Sequence, residues 1–443
     1  LRGPGLRGPG LRGPGLRGPV LAGVVGKGAE AVTLVLLATV VPRWLGPADY
    51  GRFAVALTVV AIGSVAMTLG GATLLARYVP AAAPGDRAAV ARSLSLRLAR
   101  NRAALFVPLA VLGVALAVWD PARFPPLPTT FVVLALALNV AATLALQADL
   151  GLGRAGAWCA RYPVQNAVLI VAALAGYELA GVTGALAAIL GSAVVAFGIG
   201  AGAVIPLLRR RLPAAPLPDG ALRFGLLQAT SGALVQIAQR GGVIAVALLA
   251  GSGLQTGYAA LAVGVALAAT YAIVQVFTVS LPRLAEHAGP AHPGSDAEPV
   301  LRRMAGLLLA VVLPGAAVVG LVLDTLVPIA FGRDYAGAAQ AFGPAVAMVV
   351  LAPLNALAVQ AAALRLQPGT TLWTALAGAV AFTGVALSVV PAWGAAGATA
   401  AALAGTAASA VVAVRLLPGA VGARLAVASL VGAPAVAVLG VFT

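Results

Sequence analysis

Two cations stand inside apolar runs of this sequence, Lys27 in the first and Arg240 midway along the seventh. A charged side chain at the centre of a bilayer costs about 2.5–3.5 kcal/mol on insertion scales, so a chain keeps one there for a purpose. Lys27 is the only lysine of 443 residues. The runs that hold the two charges occupy matching places in two similar halves of the chain. That suggests a paired cationic site facing an anionic cargo. Glu30, three residues after Lys27, shares its helical face; it reads as a salt-bridge partner, a cargo contact or a protonatable coupling group. Lys27 lies about 10 Å from the near end of its run, within snorkelling reach. Arg240 lies about 24 Å into its run, too deep to snorkel. Gln236 stacks beside Arg240, while Gln228, Ser231 and Gln239 fall near one face. Such a polar stripe should meet a cavity or another helix and not lipid. The alternative for Arg240 is a structural role, bonded to backbone carbonyls.

The elements that position these residues must cross a membrane. Hydrophobic residues make up 61% of the chain, charged residues 9%, and the mean hydropathy is +1.03. A soluble domain could not clothe such a chain in polar surface. Apolar runs of about 20 residues recur from end to end, each long enough to span about 30 Å of hydrocarbon. The hydropathy predicts thirteen spanning helices, at 20–41, 53–75, 103–119, 129–148, 162–180, 182–206, 224–250, 257–281, 304–330, 337–363, 370–390, 394–414 and 425–443. The last carries Pro434 and ends with the chain, as a protein stopped before a fourteenth helix would. The predicted fold class is an all-α polytopic membrane protein. It comprises a disordered tail over 1–19, a six-helix bundle over 20–206, a cytoplasmic linker over 207–223, a second six-helix bundle over 224–414 and an extra helix over 415–443. The tail repeats LRGPG, a period of five that excludes a collagen helix. It has Pro and Gly in every unit and no Met at position 1, so it reads as a processed or mis-translated start.

The net charge of +16 does not point to nucleic acid, because the arginines are scattered over short loops and not gathered on one face. They read as topology signals. With the N-terminus in the cytoplasm, the inner segments collect 22 cations, Arg102 and Arg161 among them, and the outer loops collect only Arg43, Arg52, Arg123 and Arg333. That bias predicts a multi-pass membrane protein with its N-terminus in the cytoplasm.

The two halves repeat. ADYGRFAVALTVV from Ala48 matches LQTGYAALAVGVA from Leu254, with Gly51 opposite Gly257. GVTGALAAIL from Gly181 matches GAAGATAAAL from Gly394 at six of ten positions. The offsets, 206 and 213, are nearly equal and link helix n to helix n+6. Six helices return the chain to its starting side, so the halves share one orientation about a pseudo-two-fold axis along the membrane normal. Transporters of this plan hold substrate between the halves.

No catalytic constellation stands out. G-x-S-x-G, H-E-x-x-H and the phosphate-binding P-loop are missing from the sequence, and no cofactor is implied. His287 and His292 share a loop with Asp296 and Glu298, a spacing that suits solvated side chains better than a metal. Asp49, Asp120, Glu178, Asp324 and Asp334 fall singly in short outer loops, and Asp49 suits the start of a helix. The lone Cys159 allows no intrachain disulfide. Amides within or near the spans (Asn139, Gln147, Gln165, Asn166, Gln275, Asn355 and Gln360) are expected to bond between helices.

Several turns carry a family resemblance. VVPRWLGPADYGRFAVA from Val40 resembles the helix one–two junction of bacterial polysaccharide flippases, which belong to the multidrug/oligosaccharidyl-lipid/polysaccharide exporter superfamily. FGRDYAGAA from Phe331, VVPAWGAAGATAAAL from Val389 and LPRLAE from Leu281 resemble further segments of that family, in order along the chain. The resemblance implies two six-helix bundles around a V-shaped cavity lined by helices one and seven. It also implies a bacterial cytoplasmic membrane and a cargo of undecaprenyl-diphosphate-linked oligosaccharide, with membrane lipids and the glycan polymerase or glycosyltransferases of the pathway as partners. Under that reading the diphosphate lies between Lys27 and Arg240, and the glycan against Gln236 and Gln239. Many relatives pair an acid with a base in mid-helix seven, where this chain has Gln239-Arg240. The competing expectations are a cation-coupled multidrug exporter of the same superfamily, which would want buried carboxylates, and a membrane glycosyltransferase or polymerase.

Overall fold

A computed structural model of the chain describes residues 17–68, 70–122, 124–215, 220–287, 297–365, 367–417 and 421–442. Side chains are undescribed at some helical positions, Lys27, Arg77 and His287 among them. The tail before position 17, His292 and Asp296 lie outside the described residues.

Twelve α-helices carry the fold, and among the described residues there is no strand. They are α1 (Arg17–Thr68), α2 (Gly71–Ala81), α3 (Arg87–Trp119), α4 (Pro126–Gly151), α5 (Gly156–Leu208), α6 (Ala221–Ala245), α7 (Gly253–His287), α8 (Ala297–Leu321), α9 (Leu323–Phe331), α10 (Ala339–Leu364), α11 (Pro368–Leu416) and α12 (Ala423–Phe442). A π-helical turn, Val246–Ala250, extends α6, and a 3₁₀ turn, Arg333–Ala338, joins α9 to α10.

Ten described segments are long and apolar enough to cross a membrane. Three of them, of 41, 53 and 48 residues, are too long for one crossing. Each is broken once by non-helical backbone, at Gly46 in α1, at Ala180-Gly181 in α5 and at Gly394 in α11. Counting each as two gives thirteen crossings, as the hydropathy predicts. The protein is thus an all-α multi-pass membrane protein of two six-helix bundles with an additional helix, α12.

Boundaries differ at three spans. The second ends at Thr68, because Gly70 takes a left-handed conformation and starts the separate α2. The third begins at Arg87 and not 103, so Arg87, Arg92, Arg97 and Arg100 ride on a helix. The ninth begins at Ala297 and is interrupted at Val322, where the chain turns into the short α9.

Within the first half, α4 packs along α5, and both meet α1; within the second, α10 and α11 pack together and against α7 and α6. α12 lies on α10 and α8. The two repeats found in the sequence have structural meaning. Gly181 (φ 58°) and Gly394 (φ 50°) break equivalent helices in a backbone conformation that a Cβ would strain. Gly51 and Gly257 meet where α1 crosses α7. A Cβ on Gly51 would lie 2.5 Å from the Gly253 carbonyl oxygen and 2.8 Å from the Gly257 nitrogen, and one on Gly257 would overlap the Pro47 carbonyl. The repeat-related glycines therefore let the halves touch backbone to backbone.

Around that crossing the halves are sealed by apolar side chains. Phe53, Phe331, Tyr335 and Phe342 are buried in one cluster with Tyr50 and Tyr258. The Tyr335 hydroxyl donates to the Pro42 carbonyl at 2.9 Å, and the Tyr258 hydroxyl donates to that of Asp334 at 3.0 Å. Asp49 lies in the first turn of the helix that follows the Gly46 break; it accepts from the Tyr177 hydroxyl at 3.0 Å and lies 3.4 Å from Arg52. At the opposite end of the spans, Gly70 touches Gly225 of α6.

A cavity inside the second half

A cavity of about 330 Å³ opens among α6, α7, α10 and α11. That volume falls in the range of small-molecule sites. Gln236, Gln239 and Arg240 of α6 all line it, as the polar stripe predicts. Thr270 and Tyr271 of α7 line it too, with Asn355 and Gln360 of α10 and Thr370, Thr371, Thr374, Thr406 and Ser409 of α11. The π-helical turn that follows α6 begins six residues after Arg240, a distortion that often accompanies function.

The α6–α7 wall holds polar atoms that find no partner in the protein. Among the described residues, eight buried side-chain nitrogen or oxygen atoms lack a hydrogen bond, and three of them, Gln236 Oε1, Arg240 Nε and Thr270 Oγ1, belong to residues of this wall. Buried polar atoms are normally satisfied, so such a concentration marks a place built to meet something else. Arg240 makes no described ion pair, and its nearest electrostatic neighbours are the Tyr50 and Tyr162 hydroxyls. No Asp or Glu lines the cavity. Arg240 Nε is left without an acceptor, as is that of the carbonyl-bonded Arg102.

The remaining candidates sit elsewhere. Glu30 is 6% exposed and accepts a 2.7 Å hydrogen bond from the Tyr271 hydroxyl, so it stands behind a residue of the cavity wall and ties the first half to the second. Lys27 lies on α1, and its side chain is outside the described residues. The described lining of the Arg240 cavity comes from the second half.

Two buried cations escaped the sequence reading. Arg161 and Arg102 had been assigned to solvent-facing inner segments, yet both lie within helices and are about 5–6% exposed. Arg102 donates to the carbonyls of Leu98 and Thr68, closing the last turn of the second span. Arg161 sits between α4 and α5. It donates to Thr143 Oγ1 at 2.8 Å, Asn139 Oδ1 at 3.3 Å and Gln165 Oε1 at 3.4 Å, and lies 4.7 Å from the Tyr162 ring centre. The available signal was the polar spacing of Arg161, Gln165 and Asn166 at the edge of an apolar run. Amides do bridge helices as expected: Asn166 donates to Thr33 at 3.1 Å and Asn355 to the Thr406 carbonyl at 3.3 Å.

Comparison with solved structures places the fold. A structure titled as the lipid II flippase MurJ, in an inward closed conformation, superposes with a TM-score of 0.69 at 10% identity, covering 90% of this chain and 87% of that one. An inward-facing multidrug resistance transporter of the MATE family, in the MOP superfamily, gives 0.63 at 16% identity, with 94% and 98% covered. A MOP-superfamily transporter from Pyrococcus furiosus gives 0.56 at 15% identity, with 96% and 95% covered. No protein-family profile and no curated protein matches the sequence. The chain has the fold of the MOP-superfamily transporters, a class that includes both flippases and drug exporters.

Proposed function

We propose that this protein is a flippase that moves a lipid-linked oligosaccharide across a bacterial cytoplasmic membrane by alternating access. The observation that carries the reading is Arg240, a cation with no counter-charge among the described residues and an unsatisfied Nε, on a cavity whose described lining holds no carboxylate. Such a site suits an anion, and a lipid diphosphate offers one at the required depth. Gln236 and Thr270 add uncommitted polar atoms beside it. Lys27 is the proposed partner cation from the first half.

The proposed orientation puts the N-terminus in the cytoplasm. Removing the buried Arg102 and Arg161 from the inner tally leaves 20 cations against 4, still a positive-inside bias. An inside-negative potential would favour outward movement of an anion by about 2.3 kcal/mol per charge per 100 mV.

The test is translocation in reconstituted vesicles of a fluorescent undecaprenyl-diphosphate oligosaccharide. Arg240→Ala should weaken cargo binding by about 2–5 kcal/mol, about thirtyfold or more in affinity. Arg240→Lys should keep part of it. Wild-type transport by a well-inserted Arg240→Ala protein would overturn the proposal. A multidrug exporter is the second reading, favoured by the buried carboxylate of Glu30. It predicts that cells expressing the protein gain resistance to cationic drugs and lose it with Glu30→Gln.

A further inference from the structure

The two walls of the cavity offer opposite chemistry. On the α11 side of the cavity the hydroxyls spend their protons on the helix backbone. Thr374 donates to the Thr371 carbonyl at 3.0 Å, Thr406 to that of Ala402 at 2.8 Å, and Ser409 to that of Thr374 at 2.9 Å. Asn355 spends an N–H on the Thr406 carbonyl. A hydroxyl whose proton is committed still has lone pairs, so this wall presents acceptors. Its complement is a ligand rich in hydrogen-bond donors, and with no Asp or Glu on the lining that ligand need not be cationic.

The halves differ at this point. In the first half the space between α4 and α5 is filled by the Arg161 guanidinium, bonded to Asn139, Thr143 and Gln165. In the second half the first turns of α11 carry Thr370, Thr371 and Thr374 and no charged residue, and the space beside α10 is open.

We infer that the second half alone holds a carbohydrate subsite, in which Thr374, Thr406, Ser409 and Asn355 accept hydrogen bonds from the sugar adjoining the anionic group at Arg240. The inference rests on the flippase reading for the anion but is separable from it. Arg161 excludes an equivalent subsite from the first half, so the cargo is held asymmetrically.

Equilibrium binding to the purified full-length protein tests this with inorganic phosphate and a panel of hexose and N-acetylhexosamine 1-phosphates. At least one sugar phosphate should bind fivefold or more tightly than phosphate. The near-isosteric Thr374→Val/Thr406→Val variant should lose that preference while phosphate binding stays unchanged. Equal affinity for phosphate and every sugar phosphate would overturn the subsite, as would a preference that survives in the variant. Arg240→Gln separates the two readings. If it leaves phosphate binding intact while the sugar preference persists, the anion site is wrong and the sugar wall stands.

Discussion

At the scale of single residues, the molecule sorts its buried cations by how they are satisfied. Arg102 and Arg161 are bonded to carbonyls, hydroxyls and amides. Arg102 and Arg240 each keep Nε without an acceptor, and of the two only Arg240 lines the described cavity. A sequence shows that a charge lies in an apolar run but not which neighbours complete its hydrogen bonds, so Arg240 was legible as special and Arg161 was not. Glu30 shows the same limit. Its bond from Tyr271, 241 positions away, follows from no local spacing. Tyr271→Phe removes a donor from a buried carboxylate and should lower stability by about 1.5–3 kcal/mol. Glu30→Gln, which keeps an acceptor, should lower it less. Thermal unfolding of the two variants in detergent checks this, and identical midpoints to wild type would show that the bond contributes nothing.

At the scale of elements, helix crossings and helix breaks are set by glycine. Gly257 lies against the Pro47 carbonyl with no space for a Cβ, so Gly257→Val must push α7 off α1. The expected cost is about 1–3 kcal/mol, read as a lower unfolding midpoint. Gly264→Ala is the control. Its Cβ would sit 3.9 Å from the Tyr50 hydroxyl, and in the helix interior alanine should hold or raise the midpoint. At the opposite end of the spans, Arg365 clasps Glu298 through contacts of 2.6 and 2.9 Å, pinning the end of α10 to the start of α8. The bonded carboxylate pushes the Arg365 guanidinium further above its usual value. The thirteen crossings were readable because bilayer thickness fixes their length. Three boundaries were not, because Gly70 and Val322 break the backbone inside runs that remain apolar.

At the scale of the whole molecule, alternating access requires the α1–α7 crossing to open. Ala48 and Gly253 flank it, and a Cβ on Gly253 would lie 3.8 Å from the Ala48 Cβ. That is the mean separation across a disulfide. In a Cys159→Ser background, Ala48→Cys with Gly253→Cys should oxidise readily, stop translocation, and regain it on reduction. Transport that continues in the oxidised protein would mean this crossing stays closed throughout the cycle.

By itself the sequence determined the membrane character, the number of crossings, the twofold repeat and the depth of Arg240 within an apolar run. All of these follow from composition, period and the cost of a charge in hydrocarbon. Only the tertiary structure decided that the cavity lies inside the second half, that Arg161 fills the corresponding space in the first, and that Glu30 bonds across the halves. Those outcomes depend on side chains from distant helices meeting, and pairings of that kind leave no period in a single chain.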